Sequence, residues 1–267
     1  MRVDRWQSHA GLRNALVLLV AWELVGQFKL VAGGALPAPS AILLRLWVDR
    51  VDYQGHVWAT LYASGSGFVI GNAIAISAGI LFVAFPALLR ITRGLNIAIF
   101  ALPPIAIAPI LALTLSGMAP RITLAALGVY FVTMSATVIG LSQHDTRTAD
   151  LVRAYGGGRW QVLWRVQLRG ALPVILSGFR VAAPAAVLGA ILAEFGGGGR
   201  WGLGAYLLGS LGRGEPARIW GIGLVATLIA GLSYAAFALL SARLIGASRA
   251  VTLNPAAPPS AVAEKGP

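Results

Sequence analysis

Few residues in this 267-residue chain have the type and spacing for bond-making chemistry. Gly197, Gly199 and Gly202 match G-x-G-x-x-G literally, the pattern that lays a pyrophosphate on a helix N-terminus inside a βαβ unit. Here it follows a long apolar run and no strand, so the nucleotide reading is rejected. Gly65, Gly67 and Gly71 have the wrong spacing for the same fingerprint. No G-x-x-x-x-G-K-[ST] occurs, since Lys29 and Lys265 are the only lysines, so any nucleotide hydrolysis belongs to another polypeptide. The absence of cysteine removes disulfides, thiolate metal sites and cysteine nucleophiles. His9, His56 and His144 lie far apart without metal-ligand spacing. Glu23, past the middle of its apolar segment, is expected to reach the interface or a neighbour, and Arg180 and Glu194, near the ends of theirs, to snorkel to an interface rather than relay protons. No catalytic residue, metal site or cofactor of the chain's own is expected.

What remains is a patterned polar stretch, residues 150–173, DLVRAYGGGRWQVLWRVQLRGALP. Its chemistry is docking. Residues 147–155 form a short helix, Gly156, Gly157 and Gly158 supply a bend with free φ, and residues 159–169 form a second helix before Pro173 opens the next apolar run. In the second helix Trp160, Leu163 and Trp164 share one face, and Arg165 and Arg169 share another.

These residues resemble the EAA loop of ABC-importer permeases, the binding-protein-dependent inner-membrane components. Asp150, Leu151 and Val152 occupy the E-A-A triplet, Gly156 the glycine, and Val166 and Leu168 the later aliphatic pair. The triplet reads DLV, and Arg169 stands where the family often has proline. The continuation at residues 170–182, GALPVILSGFRVA, is similar to the branch importing sulfonates, taurine and nitrate. The resemblance implies that the loop is a coupling helix seated in a groove of a cytoplasmic ATPase; Trp160 and Leu163 are assigned to packing, against the ATPase or against their own spans. It also implies two permease subunits forming a pore, two ATPases that bind ATP and Mg below, and an extracytoplasmic solute-binding protein above.

The elements that must position this loop follow from composition. A mean hydropathy of +0.77, with 57% apolar and 11% charged residues, exceeds what a soluble domain needs. The expected class is an all-α polytopic membrane protein with about six transmembrane helices, and the resemblance implies a bacterial inner membrane. The apolar runs are continuous, unlike the alternating strands of a barrel. Spans are expected near residues 13–31, 61–85, 97–115, 122–141, 174–195 and 220–240. Residues 1–12 form a cytoplasmic N-terminus, 13–243 the permease domain with its coupling loop at 143–173, and 244–267 a disordered cytoplasmic tail. LPAPS at residues 36–40 resembles the family's LPSPS turn, with Ser40 capping a surface helix from Ala41.

Gly67, Gly71, Ala75 and Gly79 make a small-residue ladder for close helix approach in lipid, within a subunit or across a homodimer. Pro103, Pro104 and Pro109 resemble the family's IPPLALIP segment and either line the path or form a packing kink. The formal charge of +12 follows the positive-inside rule with both termini inside, so no nucleic-acid partner is needed. The alternative to an importer permease is a secondary transporter or channel not driven by ATP. That class calls for an internal repeat or ionisable groups at mid-membrane, and the sequence displays neither.

Overall fold

The computed structural model describes residues 3–197 and 199–252. Arg2, Gly198, residues 253–267 and the side chains of Arg5 and Arg93 lie outside the described residues. The described chain is helical, without strands: α1 Val3–Gln27, α2 Pro39–Val48, α3 Arg50–Ala84, α4 Pro86–Ala101, α5 Pro104–Thr114, α6 Ala119–Ser142, α7 Thr146–Ala154, α8 Arg159–Val162, a π-helical turn Leu163–Gln167, α9 Leu168–Phe195, α10 Leu203–Arg213 and α11 Pro216–Thr252. Among the described residues four helices are long and apolar enough to cross a membrane, Arg50–Ala84, Ala119–Ser142, Arg159–Phe195 and Pro216–Leu244.

The core is α3, α6 and α9, joined through small residues. A Cβ on Gly71 would lie 2.7 Å from the Ala126 carbonyl, and one on Gly79 2.7 Å from Thr137. Gly67 and Ala75 are buried on the same face. The ladder therefore packs within one subunit, against α6, where Ala125 and Val129 complete the seam. Gly189 of α9 meets the same helix from the other side, its missing Cβ 2.7 Å from the Leu124 carbonyl.

Several expectations need correction. The third span is not one helix: Leu102 and Pro103 are extended, because Pro104 disfavours helical geometry in the residue before it, and α4 and α5 are separate. Pro173 does not begin a new element either, since it lies inside α9, which continues the helix from Arg159 through the π-helical turn to Phe195. α1 runs from Val3 to Gln27, so the first helix stops short of residue 31. α11 continues to Thr252, into the segment expected to lack structure. Ser40 does not cap α2, which begins at Pro39; its amide and hydroxyl both donate to Glu23, at 3.0 and 2.5 Å, tying α1 to α2.

Glu194 and Arg180 do not snorkel. Arg180 donates through Nε to Ser241 of α11 at 2.6 Å. Glu194 is 1% exposed. It accepts from the Thr60 hydroxyl and the Gly204 amide, both at 2.9 Å, while Thr60 accepts from the Leu203 amide. Arg121, buried at the start of α6, is close enough to interact electrostatically with it. This junction binds α3, α6, α9 and α10 at one end of the bundle.

Candidate coupling element and path

α7 begins at a strong cap. Asp145 accepts from the Arg147 amide at 3.0 Å and the Thr148 hydroxyl at 2.6 Å. The Thr148 bond first, then the Arg147 amide, hold the Asp145 carboxyl below its ordinary value. The stabilisation is therefore complete at neutral pH and is lost only as pH falls through that lowered value.

The far end of α7 closes in a Schellman motif. The Gly156 amide donates to Arg153 O and the Gly157 amide to Val152 O, each at 2.9 Å. Gly156 has φ +82°, a left-handed conformation that disfavours a side chain, although no atom lies within 4 Å of its missing Cβ. Gly157 is constrained differently: a Cβ there would sit 2.5 Å from a Val152 methyl carbon. Gly158 has open space and φ −77°, and caps α8.

The second helix of the stretch is the first part of the long α8–α9 span, interrupted by the π turn. Its aromatic face is not one buried stripe. Leu163 is buried with Leu141, Ala171 and Ile175, while Trp160 and Trp164 are half exposed. Leu168 joins the Leu163 cluster and Val166 is half buried. Leu163 thus anchors the element to its own spans. Asp150, Leu151 and Tyr155 project from the tip, with Tyr155 86% exposed, and Val152 folds back toward Gly157. Tyr155 went unremarked in the sequence; its place directly before the glycines was the available signal.

Of the three prolines, Pro104 lines a cavity of about 150 Å³ between α4, α5, α6 and α9, while Pro103 and Pro109 are exposed and do not. Its walls are apolar apart from Asn96 and Tyr130, whose hydroxyl donates to Asn96 Oδ1 at 2.9 Å. A second opening of about 350 Å³ adjoins the other side of Asn96 and Phe131. Asn96 and Tyr130 were missed because a lone Asn or Tyr in an apolar run carries no pattern. Among the described residues no group of His, Asp and Glu could hold a metal ion.

Residues 71–249 match the family model for the binding-protein-dependent transport system inner membrane component. The chain belongs to that family. It is a permease subunit of an ABC importer, a multi-pass inner-membrane protein, and membership implies partnership with an ATPase and a solute-binding protein. The permease is similar to the riboflavin transport system permease protein of Chloroflexus aurantiacus, 28% identical over 197 residues, 72% of each chain. It is similar to the formylaminopyrimidine transport permease protein of Halalkalibacterium halodurans, 28% identical over 187 residues, 67% of this chain and 72% of that one. A third relative is the taurine transport system permease protein of Escherichia coli, 28% identical over 191 residues, 66% of this chain and 69% of that one.

Proposed function

We propose that two copies of this permease form the translocation path for a small organic or oxyanion solute of the sulfonate, taurine or nitrate kind. Each copy couples to one of two cytoplasmic ATPases through residues 150–168. In this reading ATP and Mg are bound by the ATPase, the chain contributes no catalytic residue, both termini are cytoplasmic, and the solute-binding protein docks on the opposite face. Asp150, Leu151, Val152 and Gly156 form the contact with the ATPase, and Trp160, Leu163, Val166 and Leu168 transmit its movement to the spans. The path runs past Pro104, Asn96 and Tyr130.

The observation that supports this most is the rigidity of the element between its two ends. The tip is fixed by the Asp145 cap and the Gly156–Gly157 turn, and its base is buried between spans through Leu163. In this reading a push on Leu151 or Tyr155 is passed through Leu163 to α9. The taurine relative favours the sulfonate side of the solute range.

Gly156→Glu tests it. A side chain at φ +82° costs ~1 kcal/mol or more and projects into the space a partner would fill. The variant should insert and fold, but its complex with the ATPase should weaken and hydrolysis stimulated by taurine-loaded binding protein should fall about tenfold or more, an effect of ~1.4 kcal/mol or more. Gly158→Ala should behave as wild type. Equal stimulated hydrolysis in Gly156→Glu and wild type would reduce the stretch to an ordinary basic loop.

A further inference from the structure

α4 is held to the bundle by a narrow seam. Of its described side chains Leu88, Thr92 and Asn96, successive positions on one face, are covered, while Arg90, Ile91 and Ile97 are exposed. Leu88 packs against the cluster of Phe82 and Met134. The other two members are polar. Thr92 donates to the Leu88 carbonyl at 2.8 Å and Asn96 Nδ2 to the Thr92 carbonyl at 3.1 Å, both within α4. Asn96 Oδ1 accepts from the Tyr130 hydroxyl at 2.9 Å, which ties α4 to α6.

Asn96 also stands where two hollows meet. The hollow of about 150 Å³ is bounded on α6 by residues from Leu124 to Phe131. The opening of about 350 Å³ is bounded by residues of the same helix from Phe131 to Ile139. Asn96 and Phe131 belong to both walls. The hollows are therefore stacked along α6, one toward Arg121 and the other toward the coupling element. From Leu124 to Ile139 the helix rises ~23 Å at 1.5 Å per residue, most of the ~30 Å of hydrocarbon. Together they trace a route through the bundle, interrupted at Asn96.

α4 is bounded by non-helical joints. Phe85, before it, has φ −129° and ψ 80°, and Leu102 and Pro103, after it, are extended. The first joint touches the coupling element: Arg159 donates to the Ala84 carbonyl, and the ring centres of Phe85 and Trp160 lie 6.4 Å apart. A shift of that element is thus delivered to the point about which α4 turns, and a turn there draws Asn96 away from Tyr130.

We propose that the hydrogen bond from Tyr130 to Asn96 is the latch of the translocation path. Made, it keeps Asn96 against α6 and separates the two hollows; broken by a rocking of α4 about Phe85, it joins them. Breaking it leaves the Tyr130 hydroxyl and Asn96 Oδ1 unpaired beside apolar walls. That cost holds the path shut until water or a polar group of the solute supplies both bonds. The latch rests on the path reading above, makes Tyr130 and Asn96 positioning residues of the gate, and does not depend on which solute is carried.

The test uses the full chain with its ATPase, without ATP, in right-side-out and inverted membrane vesicles. Single cysteines are placed in the two walls, Leu127→Cys in the first and Ser135→Cys in the second, and a charged, impermeant methanethiosulfonate is added from one side. Leu127→Cys should be labelled from the outside only and Ser135→Cys from the cytoplasmic side only. Tyr130→Phe and Asn96→Leu keep the bulk of the seam and remove the bond. Each should raise the rate of labelling from the far side about fivefold, with the extracted protein still monodisperse. Thr227→Val, which deletes a hydroxyl of α11 in neither wall, should change nothing. A cysteine labelled equally from both sides without either substitution, or one that neither side labels, overturns the partition. Unchanged sidedness in both Tyr130→Phe and Asn96→Leu leaves the rings to seal the path and overturns the latch. Reversed sidedness that the two substitutions still relax supports the latch and sinks the orientation proposed for the permease.

Discussion

Glu194 illustrates what single residues reveal and conceal. In the sequence it is an acid near the end of an apolar run, and the economical expectation sends it to the interface. It is instead buried against Thr60, which is 134 positions away, and the amide of Gly204, with Arg121 of α6 nearby. No local pattern encodes partners so distant, so the residue type was legible and its role was not. The glycines after it are legible in hindsight: Gly197, Gly199 and Gly202 have φ of +101°, +131° and +132°, which is the geometry that wraps the α9–α10 turn around that carboxylate and the Arg121 guanidinium. Glu194→Ala would leave the Thr60 hydroxyl and the Gly204 amide without their acceptor, at ~1–3 kcal/mol for each buried group, and remove the charge that faces Arg121. The purified chain should melt at a clearly lower temperature than wild type, with Glu194→Gln intermediate because its amide oxygen still accepts one bond. Identical midpoints for Glu194→Ala and wild type would mean that the junction does not hold this end of the bundle.

At the scale of elements, small-residue periodicity proved more informative than proline. The ladder at Gly67, Gly71, Ala75 and Gly79 specified a close-packed face, and only its partner, α6 of the same subunit, needed the fold to be known. Prolines misled in both directions. Pro103 and Pro104 ended a helix that was expected to continue, whereas Pro173 was expected to open one and lies inside it. The difference is context: a Pro-Pro pair fixes two successive residues outside helical geometry, while a single proline in a membrane helix is tolerated when neighbouring groups absorb the lost hydrogen bond. The π turn at Leu163–Gln167, just before Pro173, marks where this helix departs from regular winding. Of the coupling element, the α7 helix, the bend and the left-handed glycine were legible; the merging of its second helix with the span was not. The α3–α6 seam carries its own prediction. Gly71→Leu would drive a side chain into the Ala126 backbone, 2.7 Å from its carbonyl oxygen and 2.9 Å from its Cα, and backbone cannot swing aside as a flexible side chain does. A Cβ at Gly65, on the same helix, meets nothing within 4 Å, which makes Gly65→Leu the control. The first should abolish recovery of monodisperse protein after detergent extraction and the second should leave it near wild type. Comparable recovery of both would remove the ladder from the account of folding.

For the whole molecule, composition was enough to establish an all-α membrane protein, and the residues at the bend were enough to point to the family. The span count was less legible, because hydropathy alone does not separate one crossing helix from the α4–α5 pair, nor identify the limits of α1, whose exposed flank touches the bundle mainly through α2 and Trp220. The proposed orientation rests on arginine placement. Arg90, Arg147, Arg153, Arg159, Arg165 and Arg169 cluster at the coupling end, close to the ends of spans, where positive charge opposes translocation. The opposite end has arginines too, but Arg45, Arg213 and Arg218 are engaged with Asp49 and Glu215 in a folded network, so their local field is largely compensated. Topogenic rules count positive residues rather than net charge, which makes a direct measurement decisive. The chain has no cysteine, so single reporters can be introduced without background. Gly158 and Gly212 suit the purpose, one at each end of the bundle and each with nothing within 4 Å of its missing Cβ. In intact cells an impermeant thiol reagent should label the Gly212→Cys variant and spare Gly158→Cys until the membrane is opened. Labelling of Gly158→Cys alone would put the coupling end outside the cell, out of reach of any cytoplasmic ATPase, and the proposed mechanism would fail with the orientation.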